Sequence, residues 1–324
     1  MLKKLSISIS QKMKFNFLFL LIGCSLFSNA QESYSSQEIN VNQFVTGTLL
    51  SPVDVENPDL VILIQGSGPT DRDGNQPFLK NDSFKKLAQE LCANGIASFR
   101  FDKRISAMGR LNLTEEEMRF DDFVQDAASV ISYAAENIPH DRLFIAGHSQ
   151  GSLVGMLAAK GKADGFISIA GAAQPIDSII VNQLDLQMPG LGESARSAFR
   201  TLREEGTVTD FNPYLASILR PQIQAFMLSW MKYNPTDEIA KLEMPILIIS
   251  GTEDLQVNEQ EAKTLHSAVP QSTLVELEGM NHILRQVSAD PIENQKSYNE
   301  PNRPLHPNLV DTVLFFLEEL RSMQ

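Results

Sequence analysis

Short, β-branched apolar runs recur along the chain, each followed by a longer stretch with helical spacing, and this alternation limits the possible folds more than any other feature. The runs fall at 60–64, 96–101, 143–146, 166–170, 245–250 and 273–277. Between and after them, the spacing predicts helices at 83–94, 121–136, 152–159, 259–268 and 309–320. Strands alternating with helices imply right-handed βαβ crossovers and a mostly parallel, doubly wound sheet covered on both faces. One interval, 172–242, breaks the rhythm. It reads as inserted helices, at 194–205 and 222–232, carrying Phe226, Met227, Trp230 and Met231. Such residues fit either a cap over a pocket or an ordinary core beneath extra helices. No internal repeat or low-complexity tract interrupts the pattern.

In sheets of this kind, chemistry sits on loops beyond the carboxyl ends of the strands. The run 143–146 leads into Gly147-His148-Ser149-Gln150-Gly151, and a helix of small residues follows. Gly-x-Ser-x-Gly between a strand and a helix is the signature of a nucleophile elbow, where a sharp turn leaves no room for side chains on its flanks. A serine hydroxyl needs a base to take its proton, and the base needs an orienting carboxylate. Of the later histidines, His282 follows the strand 273–277 directly, His266 falls within a helix, and His306 lies between Pro304 and Pro307. His282 is therefore the expected base. The run 245–250 ends in Gly251-Thr252-Glu253-Asp254, so Glu253 and Asp254 compete for the acid. An oxyanion hole requires two backbone N–H groups. Gln150, directly after the nucleophile, offers one, and Ser67 in the loop Gln65-Gly66-Ser67-Gly68 offers the other.

Two rival motifs fail in this region. Gly66-x-Gly68 lacks the third glycine of a dinucleotide fingerprint, because Asp71 stands there. In Asp71-Arg72-Asp73-Gly74-Asn75 the glycine comes two positions early for a calcium loop. Asp71, Arg72, Asp73 and Arg104 either line a pocket rim or pair among themselves, and the segment 291–307 either shapes the pocket or wraps the surface.

Together these residues resemble the α/β-hydrolase superfamily, and within it the bacterial carboxylesterases related to serine aminopeptidase-like (S33-type) hydrolases. The resemblance runs from about Leu60 to Leu320, through Phe101-Asp102-Lys103-Arg104, the elbow, Gly251 to Val257, and Gly279-Met280-Asn281-His282. It implies an α/β-hydrolase fold with a helical cap inserted between sheet strands, and a triad of Ser149, Asp254 and His282. It favours Asp254 over Glu253, because relatives carry the acid in a Gly-x-x-Asp-x-x-Val segment. It implies hydrolysis of small carboxylic esters through an acyl-enzyme, with no cofactor or metal. An aminopeptidase or amide hydrolase on the same triad is the alternative, and a non-catalytic binding protein of the same fold is a further one. This chain departs from the family where a common His is Gln65 and a common Gly is Ile105.

The N-terminus carries a separate message. Lys3, Lys4, Lys12 and Lys14 precede an apolar run, Phe15 to Phe27, that ends in Ser28-Asn29-Ala30. That order matches a secretory signal peptide over 1–30, leaving a hydrolase domain at 31–324 that is exported to the periplasm or secreted. Leu21-Ile22-Gly23-Cys24 also fits a lipobox, which would anchor a lipoprotein through Cys24. Loss of the four lysines moves the formal charge from −13 to −17. So acidic a chain has no electrostatic attraction for nucleic acid or an anionic membrane surface. Cys92 alone remains after such cleavage, so no intrachain disulfide forms.

Overall fold

The computed structural model describes residues 34–322, so the expected leader lies outside the described residues. One sheet runs through this part of the chain. Its strands are β1 (Tyr34–Asn40), β2 (Thr46–Pro52), β3 (Leu60–Ile64), β4 (Ala97–Phe101), β5 (Leu143–His148), β6 (Gly165–Ile169), β7 (Ile246–Gly251) and β8 (Thr273–Leu277). Their order in space is β1-β2-β4-β3-β5-β6-β7-β8. β2 pairs antiparallel with both β1 and β4, and every pairing from β4 to β8 is parallel.

Helices cover both faces, and the side chains of each strand alternate between them as the period of two requires. Ile62, Ile145, Phe166 and Ile248 face one core with Val130, Met156 and Leu265, from the helices Phe120–Asn137, Gln150–Ala158 and Glu259–Ala268. Val61, Phe144, Ile167 and Leu247 face the other, with Leu87 from Ser83–Ala93 and with Val313 and Phe316 from Leu309–Ser322. β3, β5, β6 and β7 are buried at every position, which is why they read as mainly apolar runs, with Ser168 inside β6 and polar residues only near the ends of β5 and β7.

β1 and β2 are absent from the sequence reading. Tyr-Ser-Ser-Gln-Glu-Ile-Asn buries only Ile39, so β1 has no apolar alternation to announce it. It is held instead by its register with β2, from Tyr34 opposite Pro52 to Asn40 opposite Thr46. β2 carries Gly47, where a Cβ would lie 2.5 Å from the Phe99 ring and 2.6 Å from the Arg100 carbonyl.

Between β6 and β7 the chain leaves the sheet and forms a helical cap: Ile176–Gln187, Leu191–Glu205, Ala216–Leu219, Pro221–Met231 and Pro235–Ile239. These helices bury a cluster of their own that includes Val181, Phe199, Leu202, Leu215 and Met231. Ile176–Gln187 shows no single apolar stripe because it serves two surfaces: Val181 packs within this cluster, Ile179 faces a cavity, and Ile180 touches both. Trp230 stacks on Phe120 with ring centroids 5.4 Å apart, joining the cap to the layer below.

Candidate active site

β5 ends at His148, and the helix Gln150–Ala158 begins two residues later. The residue between them, Ser149, holds φ 54° and ψ −122°, a conformation that costs a non-glycine residue about 1–3 kcal/mol and survives only where its surroundings impose it. Ser149 N–H donates to the Ile169 carbonyl at 3.0 Å, tying the turn to β6. Both flanking glycines are required by contact. A Cβ on Gly147 would lie 2.2 Å from the Gly151 carbonyl oxygen, and one on Gly151 would lie 2.2 Å from that of Ile64.

The loops after β7 and β8 bring Asp254 and His282 together. His282 Nδ1 donates to Asp254 Oδ2 at 2.7 Å, with both side chains almost wholly buried. Asp254 Oδ1 accepts from the N–H groups of Gln256 (2.7 Å) and Val257 (2.9 Å), which orients the carboxylate before any substrate arrives. Glu253 does not share this role. Its side chain is half-buried, while its backbone N–H donates to the Met280 carbonyl at 3.0 Å and links the two loops. Because Nδ1 is committed to Asp254, His282 Nε2 is the nitrogen left for proton transfer. His266 instead pairs with Ser272 Oγ at 2.8 Å, and His306 Nε2 lies 3.1 Å from the Glu278 carbonyl.

His148 connects the elbow to His282, a contact the sequence reading missed. Its ring lies 4.7 Å from that of His282, centroid to centroid. Its Nε2 lies 2.7 Å from the His282 carbonyl oxygen, and a carbonyl only accepts, so Nε2 carries the hydrogen. Burial pushes the His148 imidazole down to about 3, with neighbouring His282 adding to the effect, so it stays neutral. Among the described residues Ser149 Oγ has no hydrogen bond to His282; such bonds commonly tighten only in the substrate complex.

The segment 291–307 braces both loops. In its helix Pro291–Ser297, Asn294 Nδ2 donates to the Glu253 carbonyl at 2.7 Å. Asn281 Nδ2, beside His282 in sequence, donates to Asn294 Oδ1 at 3.0 Å and Ser297 Oγ at 2.8 Å. The charged residues near the first loop belong to the framework. Arg72 bonds Asp102 at 2.6 Å, Arg100 lies 3.3 Å from Asp73, and Arg104 grips Asp122 and Asp126 at 2.8 and 2.7 Å. Asp71 Oδ1 accepts from N–H groups of its own loop.

Gly66 brings the first loop against the elbow: a Cβ there would lie 3.1 Å from both Ser149 Cβ and His148 Nδ1. Ser67, Gly68, Ser149 and Gln150 form one end of a cavity of about 500 Å³. As the first helical residue, Gln150 has no carbonyl one turn back to accept its N–H. The remaining wall is mainly apolar, with Ile105, Met118, Phe123, Leu153, Ile179, Phe226, Met227 and Trp230. Phe226, Met227 and Trp230 line the pocket and also pack in the cap cluster, which Met231 joins without reaching the pocket, so both readings of this insertion hold together. Among the described residues the one carboxylate on the wall, Glu115, receives Arg220 Nη2 at 2.7 Å on both oxygens. Among the described residues no group of three or more His, Cys, Asp or Glu is arranged to hold a metal ion.

A sheet of this order, an elbow at β5 and an Asp–His pair after β7 and β8 define an α/β-hydrolase. The family model for serine aminopeptidase, S33, matches residues 81–286, more than half of the chain, and the chain belongs to that family. Esterase EstD of Thermotoga maritima is 29% identical over 238 residues, 71% of this chain and 54% of EstD. The chain therefore spans about half the length of that curated relative. Among solved structures, Est1E from Butyrivibrio proteoclasticus is similar in fold, with TM-score 0.55, 17% identity, and coverage of 88% of this chain and 99% of that one. The acylaminoacyl peptidase of Pyrococcus horikoshii is similar at TM-score 0.52 and 13% identity, over 88% of this chain and 44% of that one.

Proposed function

We propose that the protein is a serine carboxylesterase in which Ser149 is the nucleophile, His282 the general base and acid, and Asp254 the orienting carboxylate. The observation that carries this reading is the buried Asp254–His282 pair, 2.7 Å apart, set beside a strained serine at the mouth of an apolar cavity. In the mechanism, Ser149 Oγ attacks the ester carbonyl carbon while His282 Nε2 takes its proton. The carbonyl oxygen becomes an oxyanion and receives the N–H groups of Ser67 and Gln150. His282 then protonates the leaving alcohol, and water repeats the sequence to release the acid and restore Ser149. Asp254 holds the imidazole tautomer and stabilises its cationic form.

Two observations favour esters over aminoacyl substrates. An aminopeptidase must bind an α-ammonium group, and among the described residues the only carboxylate on the cavity wall, Glu115, is already held by Arg220. The relative EstD bears an esterase name. A cavity of about 500 Å³ with an apolar wall fits a medium-length or aromatic acyl group. The test is turnover of p-nitrophenyl butyrate and octanoate beside aminoacyl p-nitroanilides, for the native protein and Ser149→Ala. Ester turnover lost in the variant is expected; turnover confined to the anilides would replace the ester reading with the peptidase one. We further propose that residues 1–30 direct export, so that the mature chain starts at Gln31; an acylated Cys24 at the mature terminus would instead make it a lipoprotein.

A further inference from the structure

Beneath the loop that carries Ser67 lies a lysine that the mechanism above does not use. Lys103 follows β4 and is buried, and its ammonium group reaches the underside of the oxyanion loop. Nζ donates to the carbonyl oxygens of Gly66 and of Gly68, the latter at 3.0 Å, and to Gln150 Oε1 at 3.3 Å. An ammonium has three hydrogens, and these three acceptors use all of them. All three partners are neutral, and the Phe123 ring lies below at 5.4 Å. Burial pushes Lys103 down to about 7, as expected for a cation enclosed without a counter-charge.

The position of these bonds matters more than their number. In a trans peptide the C=O and the following N–H point in opposite directions. The Gly66 carbonyl and the Ser67 N–H belong to one peptide unit, so drawing the carbonyl down onto Lys103 turns the N–H up toward Ser149. The bond to Gly68 fixes the far side of the same loop. The bond to Gln150 ties it to the residue whose N–H is the second donor. We propose that Lys103 is the positioning residue of the oxyanion hole, holding both of its donors in one geometry. This rests on the serine-esterase reading. Donors held in that geometry meet the developing oxyanion better than the neutral ester carbonyl, which is the condition for lowering the barrier rather than tightening binding.

Lys103→Met keeps the length of the side chain and removes its charge and donors. For this variant kcat on p-nitrophenyl butyrate is expected to fall about a hundredfold, the loss typical for an impaired oxyanion hole, with KM nearly unchanged. A trifluoromethyl ketone with a matching alkyl chain forms an oxyanion on Ser149, and its affinity should fall by a similar factor. Affinity for butyramide, a neutral carbonyl ligand of the same chain length that forms no oxyanion, should not change. Equal weakening of ketone and butyramide would mark a merely structural role and overturn the proposal, as would kcat within threefold of the native value. If this variant does not fold, Gln150→Met removes one acceptor and leaves both backbone donors. A several-fold loss of kcat with unchanged butyramide affinity supports the proposal there, and unchanged kcat overturns it. Native turnover that Ser149→Ala abolishes establishes the underlying reading; with that in hand, an unimpaired Lys103→Met overturns the role of Lys103 alone.

Discussion

Gly151→Ala adds a single methyl group at the most crowded point of the elbow. The Cβ would stand 2.2 Å from the Ile64 carbonyl oxygen, 2.7 Å from that of Gln65 and 2.8 Å from the Ile64 carbonyl carbon. All three are backbone atoms, so no side chain can swing aside. The end of β3 and the helix that opens at Gln150 must part by about 1 Å before the contact becomes tolerable. Overpacking of this kind costs roughly 1–3 kcal/mol of stability. The larger effect falls on rate. Ile64 leads directly into Gln65-Gly66-Ser67, so the shift separates the two oxyanion donors, and a misplacement of about 1 Å in a catalytic constellation costs on the order of a hundredfold. Urea unfolding and kcat on p-nitrophenyl butyrate measure the two losses. Gly109→Ala is the control: nothing lies within 4 Å of its would-be Cβ, and stability there should hold or rise by about 0.4–1 kcal/mol. A Gly151→Ala protein with native kcat and stability within about 0.5 kcal/mol of native would refute the steric account.

Asp254→Asn keeps the acceptor for Gln256 and Val257 but presents an amide to His282 Nδ1; kcat should fall roughly 10⁴-fold, the size of loss known for the equivalent change in a serine triad. A loss under tenfold would remove Asp254 from the mechanism. Lys103 gives a pH signature in stability. Its folded-state value of about 7 lies below the ordinary value of 10.5, so between these limits the unfolded chain holds more protons and stability rises with pH. Urea midpoints of native protein and Lys103→Met should therefore shift in favour of the native protein from pH 7 to 10, and parallel curves would show that Lys103 stays charged when buried.

How legible each part was depended on whether its cause is local. β3, β5, β6 and β7 are covered on both faces, and that burial writes a mainly apolar run into the chain. Ser149 and Asp254 follow β5 and β7 and His282 follows the more exposed β8, so their neighbourhoods were legible from the strands, while the choice of Asp254 over Glu253 needed the family resemblance. β1 is fixed by a partner and not by its own composition, and it left no trace. The helix Ile176–Gln187 faces both the cap core and the cavity, which blurs its stripe. His148 looked like a spacer inside the elbow motif, because its contact with the His282 carbonyl spans 134 residues. Lys103 reaches Gly66 across 37 residues, and nothing in the spacing of the two predicts the bond.

The central claim is a covalent acyl-enzyme on Ser149. Mixing the protein with p-nitrophenyl butyrate, quenching in acid within the first turnovers and mapping peptides by mass spectrometry reads it directly. The account predicts a butyryl adduct on Ser149 that appears with the burst of nitrophenol, decays as turnover completes, and is missing in Ser149→Ala. Ester turnover with no adduct at Ser149, or with the adduct on another residue, would contradict it.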